Sequence, residues 1–294
     1  MKKIRLPVHF YPLTAMVFWG LSFIWSSYLL KFYEPVTIIF IRLILSASFL
    51  FLILRLFFPA EHVARKDLKL ILLSSLFNPF LYFLGENYGL KYSTPTISAV
   101  IIATIPVFSP VVAYLTFREK LSRLNFVGIA VSFAGIVIML ITKDFTLAAD
   151  IRGIIFLFGA VLAALFYSVM LKKLTGKYSA LLLIAWQNFL GIFLFLPFFL
   201  IFEFDSVIHT MPTAGIVGSF LLLSILASSV AFVFFAHSVK LLGISKANIY
   251  SNLIPVFTAF FSWILLSESI TIRKILGILL VVGGVYLSER TRKR

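Results

Sequence analysis

The sequence predicts an all-α polytopic membrane protein, with ten transmembrane helices arranged as two inverted five-helix repeats. Three observations predict it. Of 294 residues, 61% are hydrophobic and only 13% charged, with a mean hydropathy of +1.07, which leaves too little polar surface for a water-facing fold. Apolar runs long enough to cross a bilayer, roughly 20 residues each, recur between short polar links. The chain also contains itself twice: shifting residues 91–135 by 149 positions lays Lys91 on Lys240, Pro106 on Pro255, Glu119 on Glu268, Gly128 on Gly277 and Gly135 on Gly284.

In chain order, the first span, 11–30, carries Trp19 and Gly20 and follows Lys2, Lys3 and Arg5; it is long and bulky and lacks the small-residue cleavage site of a signal peptide. The second, 36–58, carries Arg42 well inside it, and the third, 69–90, carries Asn78, Tyr82 and Glu86. The fourth, 96–117, holds Pro106 and stops before Glu119; the fifth, 124–142, carries Gly128 and Gly135. The second copy follows with spans at 152–171, 180–202, 214–240, 246–266 and 272–289. No link could hold a soluble domain, so the units are 1–145 and 146–294.

Of the 26 basic residues, nineteen fall in the segments on the N-terminal side of the membrane, six on the other, and Arg42 within a span. The positive-inside rule then puts both termini in the cytoplasm. Five spans is an odd number, so the second copy enters the membrane upside down. Two copies related by an axis in the membrane plane can exchange conformations and open a central site to each side in turn, which favours a secondary transporter.

A wider pattern unites the two halves. Gly89-Leu90-Lys91-Tyr92, Pro106, Glu119, Gly128 and Gly135 are echoed by Ser238-Val239-Lys240-Leu241, Pro255, Glu268, Gly277 and Gly284, while Gln187 fills the slot of Arg42 at an offset of 145. With Trp19-Gly20 and Arg42, this resembles the drug/metabolite transporter superfamily, specifically its EamA-type permeases, over nearly the whole chain. The resemblance implies export or exchange of small metabolites, often amino acids or related compounds, across a bacterial or archaeal inner membrane. It implies no particular substrate.

Glu86 is the one carboxylate well inside an apolar span. An unpaired ionisable group there costs several kcal/mol, so it faces a partner or a wet cavity. Arg42, at a similar depth of about 6 to 9 Å on the neighbouring antiparallel span, is the expected partner. Asn78, Tyr82 and Glu86 recur every four residues and share one face of the third span, as Ser245, Asn248, Asn252 and Pro255 do on the ninth. Lipid offers no hydrogen bonds, so both stripes are expected to face a cavity or a neighbouring helix. Asn248 and Asn252 match Ala99 and Ala103 in the first half, which favours substrate contact over general packing. Gln187, Trp19, Ser22 and Tyr167 complete the expected substrate lining. Pro106 and Pro255 are expected gating hinges, since a mid-helix proline removes a backbone bond. Glu119 and Glu268 suit helix-start contacts, and His237 a helix end. The glycines of spans 5 and 10 serve tight helix contacts, either within the chain or in a homodimer.

Other classes lack support. The net charge of +15 lies in links rather than on a basic face with interleaved aromatics, so no nucleic-acid partner is expected. The chain has no cysteine, phosphate-cradling loop, hydrolase motif or metal-ligand cluster, so no catalytic residue, metal or cofactor is expected. The expected partners are a small-molecule substrate and the bilayer. The rival readings are a carrier of nucleotide sugars or phosphorylated metabolites, which would need more cavity cations than Arg42 alone, and a non-transporting membrane sensor or scaffold.

Overall fold

The computed structural model describes residues 7–58, 61–108, 111–112, 123–141, 146–242, 247 and 250–290. They form an all-α polytopic membrane protein of ten helices: α1 (Phe10–Leu29), α2 (Pro35–Phe57), α3 (Arg65–Lys91), α4 (Pro95–Phe108), α5 (Arg123–Leu140), α6 (Ile151–Thr175), α7 (Ala180–Glu203), α8 (Ala214–Leu242), α9 (Tyr250–Leu266) and α10 (Ile272–Arg290). Each lies within a few residues of a predicted span where the two can be compared. Glu119, Ser245 and Asn248 lie outside the described residues.

The helix starts follow from their links. Thr94, Asp150, Ser179 and Thr213 take extended backbone and accept a first-turn N–H, from Ile97, Arg152, Leu182 and Ile216 respectively. Pro35 and Pro95 stand in the first turn of α2 and α4, where no backbone donor is missed. Among the described residues, six helices are long and apolar enough to cross a membrane, and the described parts of α4 and α9 are shorter apolar helices. Both contain a break: α4 has a turn at Ala103 and Thr104 before resuming at Ile105, and α9 has a 3-10 turn, Tyr250–Leu253, before its α-helix starts at Ile254. Ile105 and Ile254 correspond under the 149-residue shift, so the duplication includes the breaks.

The expectation that these prolines kink their helices is thereby corrected. Pro106 and Pro255 do not kink continuous helices; each sits in the first turn after a break, where its missing N–H costs nothing. A second pair of irregularities lies elsewhere. Helix α3 kinks at Asn78, whose backbone is extended (φ −146°, ψ 117°) ahead of Pro79, while α8 widens into π-turns over Leu223–Ala231, and the shift carries the kink inside that stretch.

Helices α5 and α10 pack along each other, as do α2 and α7, while α3 lies on α6 and α1 on α8 and α9. In the first of these pairs the glycines of the repeat meet one another. A methyl group on Gly135 would stand 2.8 Å from the Gly277 carbonyl oxygen, and one on Gly284 2.6 Å from that of Gly128. The chain runs up one helix as it runs down the other, so α5 and α10 are antiparallel. Between those contacts, Ser132 Oγ donates to the carbonyl of Val281, its own counterpart in the second copy, at 3.2 Å. These glycines therefore serve contacts within the chain. Bulky exposed residues such as Phe126, Phe133, Ile275 and Leu279 lie on the outside of this pair.

Candidate functional site

The helices that surround the centre do so because their polar residues have no partner in lipid and turn inward. They enclose a cavity of about 100 Å³. Helix α1 contributes Trp19, Ser22 and Phe23; α2 contributes Arg42; α3 contributes Asn78, Tyr82, Phe83 and Glu86. Ile105 and Pro106 come from the break in α4, Tyr167 and Ser168 from α6, and Phe232, Phe235 and Ile254 from α8 and α9. Both halves build the wall.

One end is charged. Arg42 Nη1 lies 3.8 Å from Glu86 Oε2, and Tyr82 Oη donates to Glu86 Oε1 at 2.9 Å. The Arg42 guanidinium lies 3.9 Å from the centre of the Phe83 ring, and its Nε donates to Ser228 Oγ at 2.8 Å. Only 2% of Arg42 is exposed, yet its Nη1 has no hydrogen-bond partner. A buried charged donor left in this way is costly, and Arg42 is one of the residues that line the cavity.

Most other donors on the wall are committed. Trp19 Nε1 donates to the Ala227 carbonyl, Ser22 Oγ to that of Trp19, Ser168 Oγ to that of Leu165, and Tyr167 Oη to Gln187 Oε1 at 3.1 Å. The hydroxyls of Ser22, Tyr167 and Ser168 offer lone pairs to an occupant, and Arg42 offers N–H. Aromatic faces fill much of the remaining wall.

Arg42 sits near the start of α2 and Glu86 near the end of α3, so both belong to one face of the membrane. Leu171, near the end of α6, and Ile184, near the start of α7, mark the cavity's opposite end. Beyond the ion pair, the first face is closed by further polar ties. The Glu203 carboxylate, at the end of α7, accepts the N–H of Val36 at 3.2 Å and of Thr37 at 2.6 Å, capping α2 from a different helix, and Lys91 pairs with Glu34.

Of the residues expected from sequence, Trp19, Ser22, Arg42, Asn78, Tyr82, Glu86, Tyr167 and Pro106 line this cavity. Three do not. Gln187 stands behind the wall, accepting from Tyr167 and donating to Ser74 Oγ at 3.0 Å. Asn252 is buried away from the lining and Pro255 lies beside it; the 3-10 turn over Tyr250–Leu253 advances three residues per turn and rotates the stripe away, presenting Ser251 and Ile254 instead. Sequence reasoning missed Phe83, Ser228 and Glu203. His237, the histidine within a span, packs edge-on against Tyr11 near the opposite face.

Comparison with known proteins decides the family. A model of the EamA-like transporter family matches this chain twice, over residues 6–141 and 151–290. The chain belongs to the EamA-like transporter family. Among its EamA relatives, an uncharacterized transporter of Archaeoglobus fulgidus is 26% identical over 281 residues, covering 95% of this chain and 97% of the relative. The uncharacterized transporter YoaV of Bacillus subtilis is 26% identical over 297 residues, covering 100% and 99%. A solved crystal structure superposes with a TM-score of 0.72 over 96% of this chain and 97% of its own, at 14% identity, a likeness of fold. This EamA chain is a multi-pass membrane transporter.

Proposed function

We propose that the protein is a secondary transporter that moves small zwitterionic metabolites, amino acids or close relatives, across a bacterial or archaeal inner membrane by alternating access, working as an exporter. The observation that carries the reading is the Arg42 Nη1 left without a hydrogen bond beside Glu86 at the cavity wall. A zwitterion placed there gives its carboxylate to Arg42 and its ammonium to Glu86 and the lone pairs of Tyr82, satisfying the unpaired Arg42 donor. An apolar remainder suits Trp19, Phe232 and Phe235. A nucleotide sugar, with several phosphate charges, would find a single cation there.

Alternating access draws its support from the pairing of α5 with α10. Gly135 faces Gly277 while Gly128 faces Gly284, so exchanging the repeats exchanges the contacts, as a two-fold relation in the membrane plane requires. The basic-residue asymmetry supports a cytoplasmic side that holds both termini and the Leu171–Ile184 end of the cavity. The ion pair is then the outward end, closed by Glu203 and Lys91, and cargo loads from the cytoplasm. Such a cycle needs the substrate and the bilayer but neither cofactor nor enzymatic step.

Counterflow in proteoliposomes tests it. Labelled L-leucine, L-methionine and L-phenylalanine should exchange against unlabelled amino acid and resist competition by the matching amines, which lack the carboxylate. No exchange with any amino acid, or equal competition by the amines, refutes it.

A further inference from the structure

We infer that Ser228 is a positioning residue for cargo recognition, which aims Arg42 at the cavity from the other half of the molecule. The inference rests on the reading of Arg42 as the carboxylate partner.

Ser228 does not touch the cavity. Its hydroxyl accepts from Arg42 Nε at 2.8 Å and donates to the Leu223 carbonyl at 3.1 Å. In an ordinary helix a serine hydroxyl back-bonds to the carbonyl three or four residues earlier. Here it reaches five residues back, because α8 is π-helical from Leu223 to Ala231 and the wide turn frees that carbonyl. With its own proton committed, Ser228 can only accept from Arg42. That fixes Nε, while the Phe83 ring covers one guanidinium face, and together they leave Nη1 directed toward Glu86, on a side chain that lines the cavity.

The neighbouring bonds hold the same stretch in register. Asn188 Nδ2 donates to Ser46 Oγ at 2.7 Å and to the Ser228 carbonyl at 3.3 Å; Ser229 Oγ donates to the Ser224 carbonyl at 2.9 Å, so the 2.7 Å contact between Ser46 and Ser229 has Ser46 as donor. The arginine comes from the first repeat and its orienting serine from the second. Recognition is therefore assembled only when α2 and α8 are in this relative position.

The test is counterflow with L-leucine, L-methionine and L-phenylalanine in proteoliposomes, on protein shown to be monodisperse. Ser228→Ala should raise the half-saturating concentration about tenfold, the loss of one hydrogen bond to a charged group, with the maximal rate within about twofold. Ser228→Thr, which keeps the hydroxyl, should restore affinity. Ser229→Ala, which disturbs the same π-turn but not Arg42, should leave it unchanged. Equal shifts in Ser228→Ala and Ser229→Ala, or no shift in Ser228→Ala where Arg42→Ala abolishes exchange, overturns the positioning role while sparing the reading of Arg42. Exchange by Arg42→Ala at the normal affinity, or none by the unsubstituted protein, removes that reading and this inference with it.

Discussion

Gly135 and Gly277 meet backbone against backbone: a methyl group on either would stand 2.8 Å from the other's carbonyl oxygen. Gly277 corresponds to Gly128, not to Gly135, so the two halves hold each other through exchanged partners. Small residues let the backbones approach where lipid provides no hydrophobic drive.

That contact predicts a sharp local contrast. Gly277→Leu must displace Met139 and the α5 backbone, and overpacking of this kind costs roughly 1–3 kcal/mol. Gly283→Leu, where nothing lies within 4 Å, should cost little. Thermal melting of the purified protein should fall for the first and stay put for the second.

Arg42 and Glu86 predict a separation of stability from transport. Arg42→Ala leaves Glu86 buried without its cation, a change worth roughly 3–5 kcal/mol, whereas replacing both with methionine should recover most of the stability. Neither variant should show counterflow. A double variant that transports normally would make the pair structural only.

Glu268 and Lys274 predict a pH dependence at the link between α9 and α10. Burial opposes ionisation of Glu268, but the 2.8 Å hydrogen bond and charge of Lys274, together with Thr94 and Ser262, outweigh it, and the carboxyl is held below its ordinary value. A depressed carboxylate contributes stability that is fully present above its unfolded pKa, about 4.3, and is lost as pH falls through the folded value. Melting temperatures of the wild type and Glu268→Gln should therefore differ at pH 7 and converge as pH drops below about 4.

Much of the fold was legible because each level of the sequence agreed. Apolar length gave the spans, and their ionisable interruptions gave Arg42 and Glu86. Asn78, Tyr82 and Glu86 all line the cavity, although α3 kinks at Asn78, so the helical step joins only Tyr82 and Glu86. The same reasoning failed on α9 because a 3-10 turn changes the period from which a face is inferred. Ser228 and Phe83 were invisible for another reason. Serine and phenylalanine are ordinary in apolar helices, and what singles these two out is a contact with Arg42, across 186 positions in the case of Ser228. Glu203 reads as a span-end carboxylate until α2 is seen to start against it.

Glu203 in turn predicts a bias between the two access states. Glu203→Ala removes two hydrogen bonds that hold the start of α2 to the end of α7, so the outward-open form should gain population. With no native cysteine to mask, Ile102→Cys at the cavity wall should react several-fold faster with an impermeant thiol reagent added outside when Glu203→Ala is also present. Equal rates would assign Glu203 a purely capping role.

Reciprocal accessibility tests the account most directly. Single cysteines at Ile102 and Ile184 are labelled from each side of oriented vesicles while unlabelled amino acid is added on one side or both. Two inverted halves rocking about a central cavity predict that outside labelling of one state rises as inside labelling of the other falls, in proportion and in response to substrate. Reactivity from a single side, unmoved by substrate under every condition, would contradict it.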